Sequence, residues 1–190
     1  EDESKEFLND RFGNESIPRS IPLREWRSQI LRVYTAATSQ PLAVYLDEGT
    51  NIIEITNRAN PLSLGKLTIS PDLILPEYDE YINSFDYLEL AELPISIGAV
   101  EYVEKNSSYI NLMAIPNPDL EPFESGRRKL NAIEGEGYNL AGQDISFRVD
   151  IPETGLYKIS LKYSTTVKDA FIYRSIMIDG NIPFKQAGMI

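Results

Sequence analysis

Apolar and polar side chains alternate along residues 144–149, where Ile145, Phe147 and Val149 are interleaved with Ser146, Arg148 and Asp150. After a Pro- and Gly-bearing turn at 152–155 the alternation resumes over 156–163. A period of two buries one face of an extended chain and wets the other, so this stretch predicts strand, tight turn, strand. Similar runs lie at 29–34, 42–46, 51–56, 62–69, 95–103, 109–113 and 171–178. Residues 47–50, with Gly49 to supply a positive φ, predict a hairpin turn. Asp179-Gly180-Asn181 predicts a second one of the primed type. Only 77–82 reads as helical, for one or two weakly amphipathic turns. The polar, turn-rich residues 1–25 predict a surface arm. Residues 116–142 show no clear period and predict a long loop. Nine short strand candidates with little helix predict an all-β fold, a β-sandwich with ligands held in its loops.

Composition narrows the chemistry. The chain has 190 residues, enough for one ordinary core or two small ones. An apolar fraction of 42% is that of a globular protein. The formal net charge of -11 argues against nucleic acid and anionic lipid as partners, because both demand clustered Lys and Arg. Cysteine and histidine are both absent. That removes disulfides, thiolate metal sites, Ser-His-Asp and Cys-His arrangements, His general bases and His metal ligands together. No run approaches the roughly 20 apolar residues of a membrane-spanning helix. The opening Glu1-Asp-Glu-Ser-Lys-Glu6 has neither the basic nor the apolar part of a signal peptide. It reads as the start of an excised fragment or a processed product.

Longer phrases carry a resemblance. The run Val149-x-Ile-Pro-Glu-x-Gly-Leu-Tyr-Lys-Ile-x-Leu-x-Tyr163, followed by Tyr173-Arg-Ser-Ile-x-Ile-Asp-Gly-x-Ile-Pro-Phe184, resembles the galactose-binding-like domains of large extracellular solute-binding proteins. Those are the sugar-type importer lipoproteins of Gram-positive bacteria. Phe12-Gly-Asn-Glu-Ser-Ile-Pro-Arg19, Trp26, residues 41–53, Pro61-Leu62 and Tyr78-x-x-Tyr81 resemble a later stretch of the same architecture. The resemblance implies a jelly-roll sandwich, an extracellular location through a membrane-anchored parent lipoprotein, and ABC importer components as partners. It implies that residues 1–82 are the later half of one domain, 83–94 a connector and 95–190 the earlier half of another. Each half has four or five strands and an open edge. Residues 1–70 and 95–190 are therefore expected to pack together, within one chain or between two swapped chains in a homodimer. The family often carries Ile-Glu-Ala-Glu where this chain has Ile97-Gly-Ala-Val100. Loss of both carboxylates removes the oxygen ligands calcium requires, so no metal or other cofactor is expected.

Carbohydrate is the expected ligand. Trp26, Tyr34, Tyr45, Tyr157, Tyr163 and Tyr173 are candidate platforms for the C–H face of a sugar ring, although alternating Tyr residues in strands also serve as core. Trp26 lies between a loop and a strand, which sets it apart. Arg174 beside Asp179 reads as a ligand clamp or as a pair fixing the turn. The candidate ligand-binding set is Trp26, Tyr34, Tyr138, Tyr173 and Arg174. Glu121, Glu124, Glu134 and Glu136 share the long loop with Arg127, Arg128 and Lys129. A glycosidase needs two carboxylates at one cleft, but a chain with 29 acidic residues places such pairs on its surface without any chemistry. No catalytic residue is assigned, and the expected function is non-catalytic. The alternatives are a structural or protein-interaction domain of a cell-surface protein and, least favoured, a glycoside hydrolase domain.

Overall fold

A computed structural model of the chain describes residues 6–23, 26–34, 39–59, 61–72, 74–86, 94–165 and 172–190, leaving the side chains of Tyr34 and Ser39 outside that description. Contacts divide it into two units, each built from two stretches of sequence. A hairpin unit comprises Leu23–Phe85 and Ile172–Ile190, and a core unit comprises Glu1–Pro22 and Asp86–Phe171. The described residues are low in helix, and every ladder among them is antiparallel and two-stranded. The expectation of a mostly β chain therefore holds at that level.

In the hairpin unit, β1 (Arg32–Tyr34) pairs with β2 (Ser39–Pro41) in the register Arg32↔Pro41. The Leu42 amide extends this pairing by donating to the Leu31 carbonyl at 2.8 Å. The one α-helix among the described residues, α1 (Tyr78–Asn83), occupies the predicted place. Its first turn carries Asp79 and Glu80, which complement the positive end of the helix dipole. The Glu80 carboxylate accepts from the Glu77 amide at 3.1 Å, satisfying a donor that the helix leaves free. The Ser84 hydroxyl closes the other end on the Tyr81 carbonyl at 2.7 Å. Residues 174–190 fold back as a hairpin, with Arg174 and Ile190 exchanging two 2.8 Å backbone bonds. Its tip bears out the primed-turn expectation. Asp179 (φ 50°) and Gly180 (φ 78°) are both left-handed, as a type I′ turn requires, and Ile178 bridges Asn181. A short 3-10 turn, Lys185–Gly188, buries Ala187.

In the core unit, β3 (Glu104–Lys105) pairs with β6 (Ile145–Ser146), and β4 (Leu112–Met113) pairs with β5 (Ala132–Ile133). Val100, Leu112 and Leu130 form a buried cluster against Phe7, Tyr102, Ala114 and Ile133. Ile110 is also buried.

Several expectations are corrected. Residues 116–142 are not one long loop, because β5 and the buried pair Leu130 and Asn131 lie inside them. A two-residue ladder is too short to show a period, so nothing in the pattern marked it. The arm at 1–25 is not merely surface: Phe7 packs on the core and Glu15 is buried. The stretch expected as strand over 95–103 instead contains a 3-10 turn, Ala99–Glu101, stabilised by the Gly98 amide donating to Glu101 Oε1 at 2.6 Å. Among the described residues, 42–46, 51–56, 62–69 and 156–163 have no ladder partners apart from the single Leu42 bond. Between the first two of these the chain bends, but the expected hairpin does not form there, because its two arms are not paired. Gly49 has φ 116°, and the Asn51 side-chain amide donates to the Asp47 and Gly49 carbonyls at 2.8 and 3.3 Å. Alternation sets which face an extended segment would bury, but a ladder also needs a neighbour to accept its bonds. The expected strand start at Phe171 and most of the expected connector at 83–94 lie outside the described residues.

Candidate functional site

Trp26 is the best-formed platform among the expected ligand-binding residues. A Cβ placed on Gly65 would sit 2.9 Å from the indole ring, so one edge of the ring lies directly against the Gly65 backbone. A side chain at Gly65 would have to displace the ring from this position. The rest of the side chain is open to water, at 77% exposure. A supported, solvent-facing aromatic plane is what stacking on a sugar needs.

The other four expected residues are placed differently. Tyr34 lies in β1, with its side chain outside the description. Tyr173 is exposed and begins the C-terminal hairpin. Arg174 lies on that hairpin and donates its guanidinium to the Tyr173 carbonyl at 2.8 Å. Tyr138 belongs to the core unit, half-buried in a turn closed by its amide on the Gly135 carbonyl at 3.1 Å. Trp26, Tyr34, Tyr173 and Arg174 thus share the hairpin unit, while Tyr138 does not. Of the further aromatic candidates, Tyr45 and Tyr163 are strongly exposed. The Tyr157 hydroxyl is spent on the Glu153 carbonyl at 2.7 Å.

Two concavities among the described residues do not use this set. In the hairpin unit a groove of about 600 Å³ is lined by Glu77, Tyr78, Asp79, Phe184, Gln186 and Ile190. Tyr78 and Phe184 meet edge-on at 5.0 Å, and Tyr81 touches both Phe184 and Phe85. The Gln186 side chain ties α1 down. It accepts from the Tyr78 amide at 3.0 Å and donates to Glu77 at 2.7 Å. Lys185 pairs with the other Glu77 oxygen. The Lys185 and Gln186 hydrogen bonds hold the Glu77 carboxyl below its usual range, and Glu77 in turn raises Lys185. The Tyr78-x-x-Tyr81 spacing was the available signal, since residues three apart share a helix face. Its partner Phe184 is over a hundred residues away and could not be paired with it from sequence.

In the core unit a cavity of about 270 Å³ is lined by Glu6, Phe7, Pro18, Val100, Tyr102 and Leu112. Burial raises the Tyr102 phenol above its ordinary value. Val100 is a packing residue in the core cluster. Among the described residues no group of three or more acidic side chains is placed to hold a metal ion.

Of the crowded carboxylates of the long loop, Glu124 is held in ion pairs. Glu124 pairs with Arg127 at 2.6 Å and with Lys129 at 3.7 Å. Lys129 also reaches Glu15 at 3.1 Å. Glu15 is bound three ways: its second oxygen accepts from the Leu130 amide at 2.8 Å, and its own amide donates to the Arg128 carbonyl at 3.0 Å. Asn131 pins the neighbouring loop, accepting from the Ile115 amide at 2.9 Å and donating to the Ile115 and Pro122 carbonyls. No family model matches the chain, and neither a curated protein nor a solved structure matches it.

Proposed function

We propose that this chain is a non-catalytic, carbohydrate-associated segment of an extracellular sugar-type solute-binding protein, with a galactose-binding-like sandwich as its complete architecture. The parent lipoprotein would anchor it to the membrane and link it to importer components. The observation that carries this reading is the Trp26 indole, supported on Gly65 and open to solvent. Its chemistry suits the apolar face of a pyranose, with neighbouring amides and hydroxyls for orientation. The ion-paired state of Glu124 supports a binding role rather than a hydrolytic one.

The test is titration of the chain with methyl galactoside, maltotetraose and cellotetraose, read by calorimetry and by amide chemical shifts. Binding of at least one sugar is expected, with Trp26→Ala weakening it tenfold or more, the roughly 1–3 kcal/mol of a lost stacking platform. Silence towards all three sugars, or undiminished binding by the variant, would remove the reading. A second reading, a structural or interaction segment, is favoured by the unladdered apolar stretches at 42–56 and 156–163. Under that reading Trp26→Ala changes nothing measurable.

A further inference from the structure

The tip of the C-terminal hairpin places an acid next to an open backbone amide. Asp179-Gly180 is the one Asp-Gly step in the chain, and the chain has no Asn-Gly. Both residues are exposed. Among the described residues the Asp179 carboxylate has no hydrogen-bond or ionic partner, and the Gly180 amide donates to nothing. Gly180 also has no side chain to shield its nitrogen. Asn106-Ser107 is the contrast within the same chain. The Asn106 side-chain amide donates to the Gly142 carbonyl at 2.6 Å and to Asp144 at 2.5 Å, and its oxygen accepts from the Asp144 amide at 2.9 Å.

We propose that Asp179 is a site of spontaneous isomerisation to isoaspartate, which remodels the hairpin tip. The Gly180 nitrogen gives up its proton to water and attacks the side-chain carboxyl carbon of Asp179. A C–N bond forms, a C–O bond breaks and one water leaves, giving a succinimide ring. Water then adds back to the ring. Opening at the side-chain carbonyl restores Asp179. Opening at the main-chain carbonyl leaves the backbone running through the side-chain carbon. No atom is gained or lost overall, and nothing is oxidised or reduced. Ring closure takes Asp179 out of a left-handed conformation (φ 50°) that residues with a Cβ rarely hold. Three hydrogen bonds at the tip oppose that motion. Ile178 and Asn181 exchange backbone bonds of 2.8 and 2.9 Å, and the Asn181 side chain donates to the Asp179 carbonyl at 3.1 Å. All three lie at an exposed loop tip, where local opening costs least. The product carries an extra methylene in its main chain. A two-residue primed turn has no place for it, so the Ile178–Asn181 bridge is lost. This chemistry does not depend on sugar binding.

The test is prolonged incubation of the whole folded chain at neutral pH. Tryptic peptides are then mapped by electron-transfer fragmentation, which tells the two backbones apart. The expected result is conversion at Asp179 about tenfold or more faster than at any other Asp or Asn, Asn106 included, equivalent to a barrier lower by roughly 1.4 kcal/mol. Asp179→Glu should stop conversion at this position, because the larger ring closes poorly. Asp179→Asn keeps a residue suited to the primed turn. It should convert faster, with loss of ammonia and a gained negative charge. In the converted wild-type chain the Ile178 and Asn181 amides should lose their hydrogen-exchange protection. Unchanged Asp179 in the folded chain, with conversion of the same chain in urea, would show that the turn protects it and would overturn the proposal. Equal conversion at other positions, or intact protection at Ile178 and Asn181 after conversion, would overturn it too.

Discussion

Glu15 shows how a single polar residue holds the core unit together. It is a carboxylate at 9% exposure, and its cost of burial is met by the Lys129 ammonium and the Leu130 amide. Replacement by alanine leaves the Leu130 amide buried with nothing to accept its bond. Glu15→Ala should therefore lower the unfolding free energy by about 1–3 kcal/mol, measured by urea denaturation, while Glu15→Gln should lose less because one acceptor oxygen survives. Equal losses would contradict this account. The sequence marked Glu15 as part of a turn-rich arm and of the Phe12–Arg19 phrase, neither of which signals burial. Its partners lie more than a hundred positions away, and no local period reports a contact of that range. Trp26 was singled out by its place between a loop and a strand, whereas the Gly65 backbone against its ring was not legible at all.

At the scale of elements, local rules predicted what local forces decide. The Asp179-Gly180 turn and α1 both form where residue chemistry placed them. A Cβ at residue 180 would meet open space, so Gly180→Ala tests conformation alone. It should cost about 1–2 kcal/mol, the penalty for a left-handed L-residue, in thermal unfolding. A neutral Gly180→Ala would mean the turn had changed type. The Glu77–Lys185 pair fixes α1 against residues 184–188 in a pH-dependent way. Glu77 has a depressed carboxyl, so its contribution is present above the usual value of 4.5 and is lost as pH falls through its lower folded value. Lys185 is raised, so its contribution is present below the usual 10.5 and is lost as pH rises through its higher folded value. The pair is therefore intact across the whole neutral range. A carboxyl NMR titration should give Glu77 a midpoint below 4.5, and Lys185→Met should move that midpoint up. An unchanged midpoint would show that Gln186 alone lowers it.

For the whole molecule, burial is the quantity to measure. Denaturant sensitivity scales with the surface exposed on unfolding. With many large apolar side chains of the described residues exposed, the urea slope should fall below that of a fully packed chain of equal mass. A full slope would show that the apolar stretches are covered. The sequence by itself determined the mostly β character, the sites of the sharp turns, the one helix and the chemistry that histidine and cysteine would have carried. These follow from backbone sterics, from side-chain period and from residue identity, all of which act over a few positions. Tertiary structure alone decided which alternating stretches gain a ladder, that Glu15 and Asn131 become buried anchors, and that Tyr78 and Phe184 share a groove. A strand's partner, a charge's burial and a groove's far wall all come from distant parts of the chain. They are set by competition among long-range contacts that no local pattern encodes.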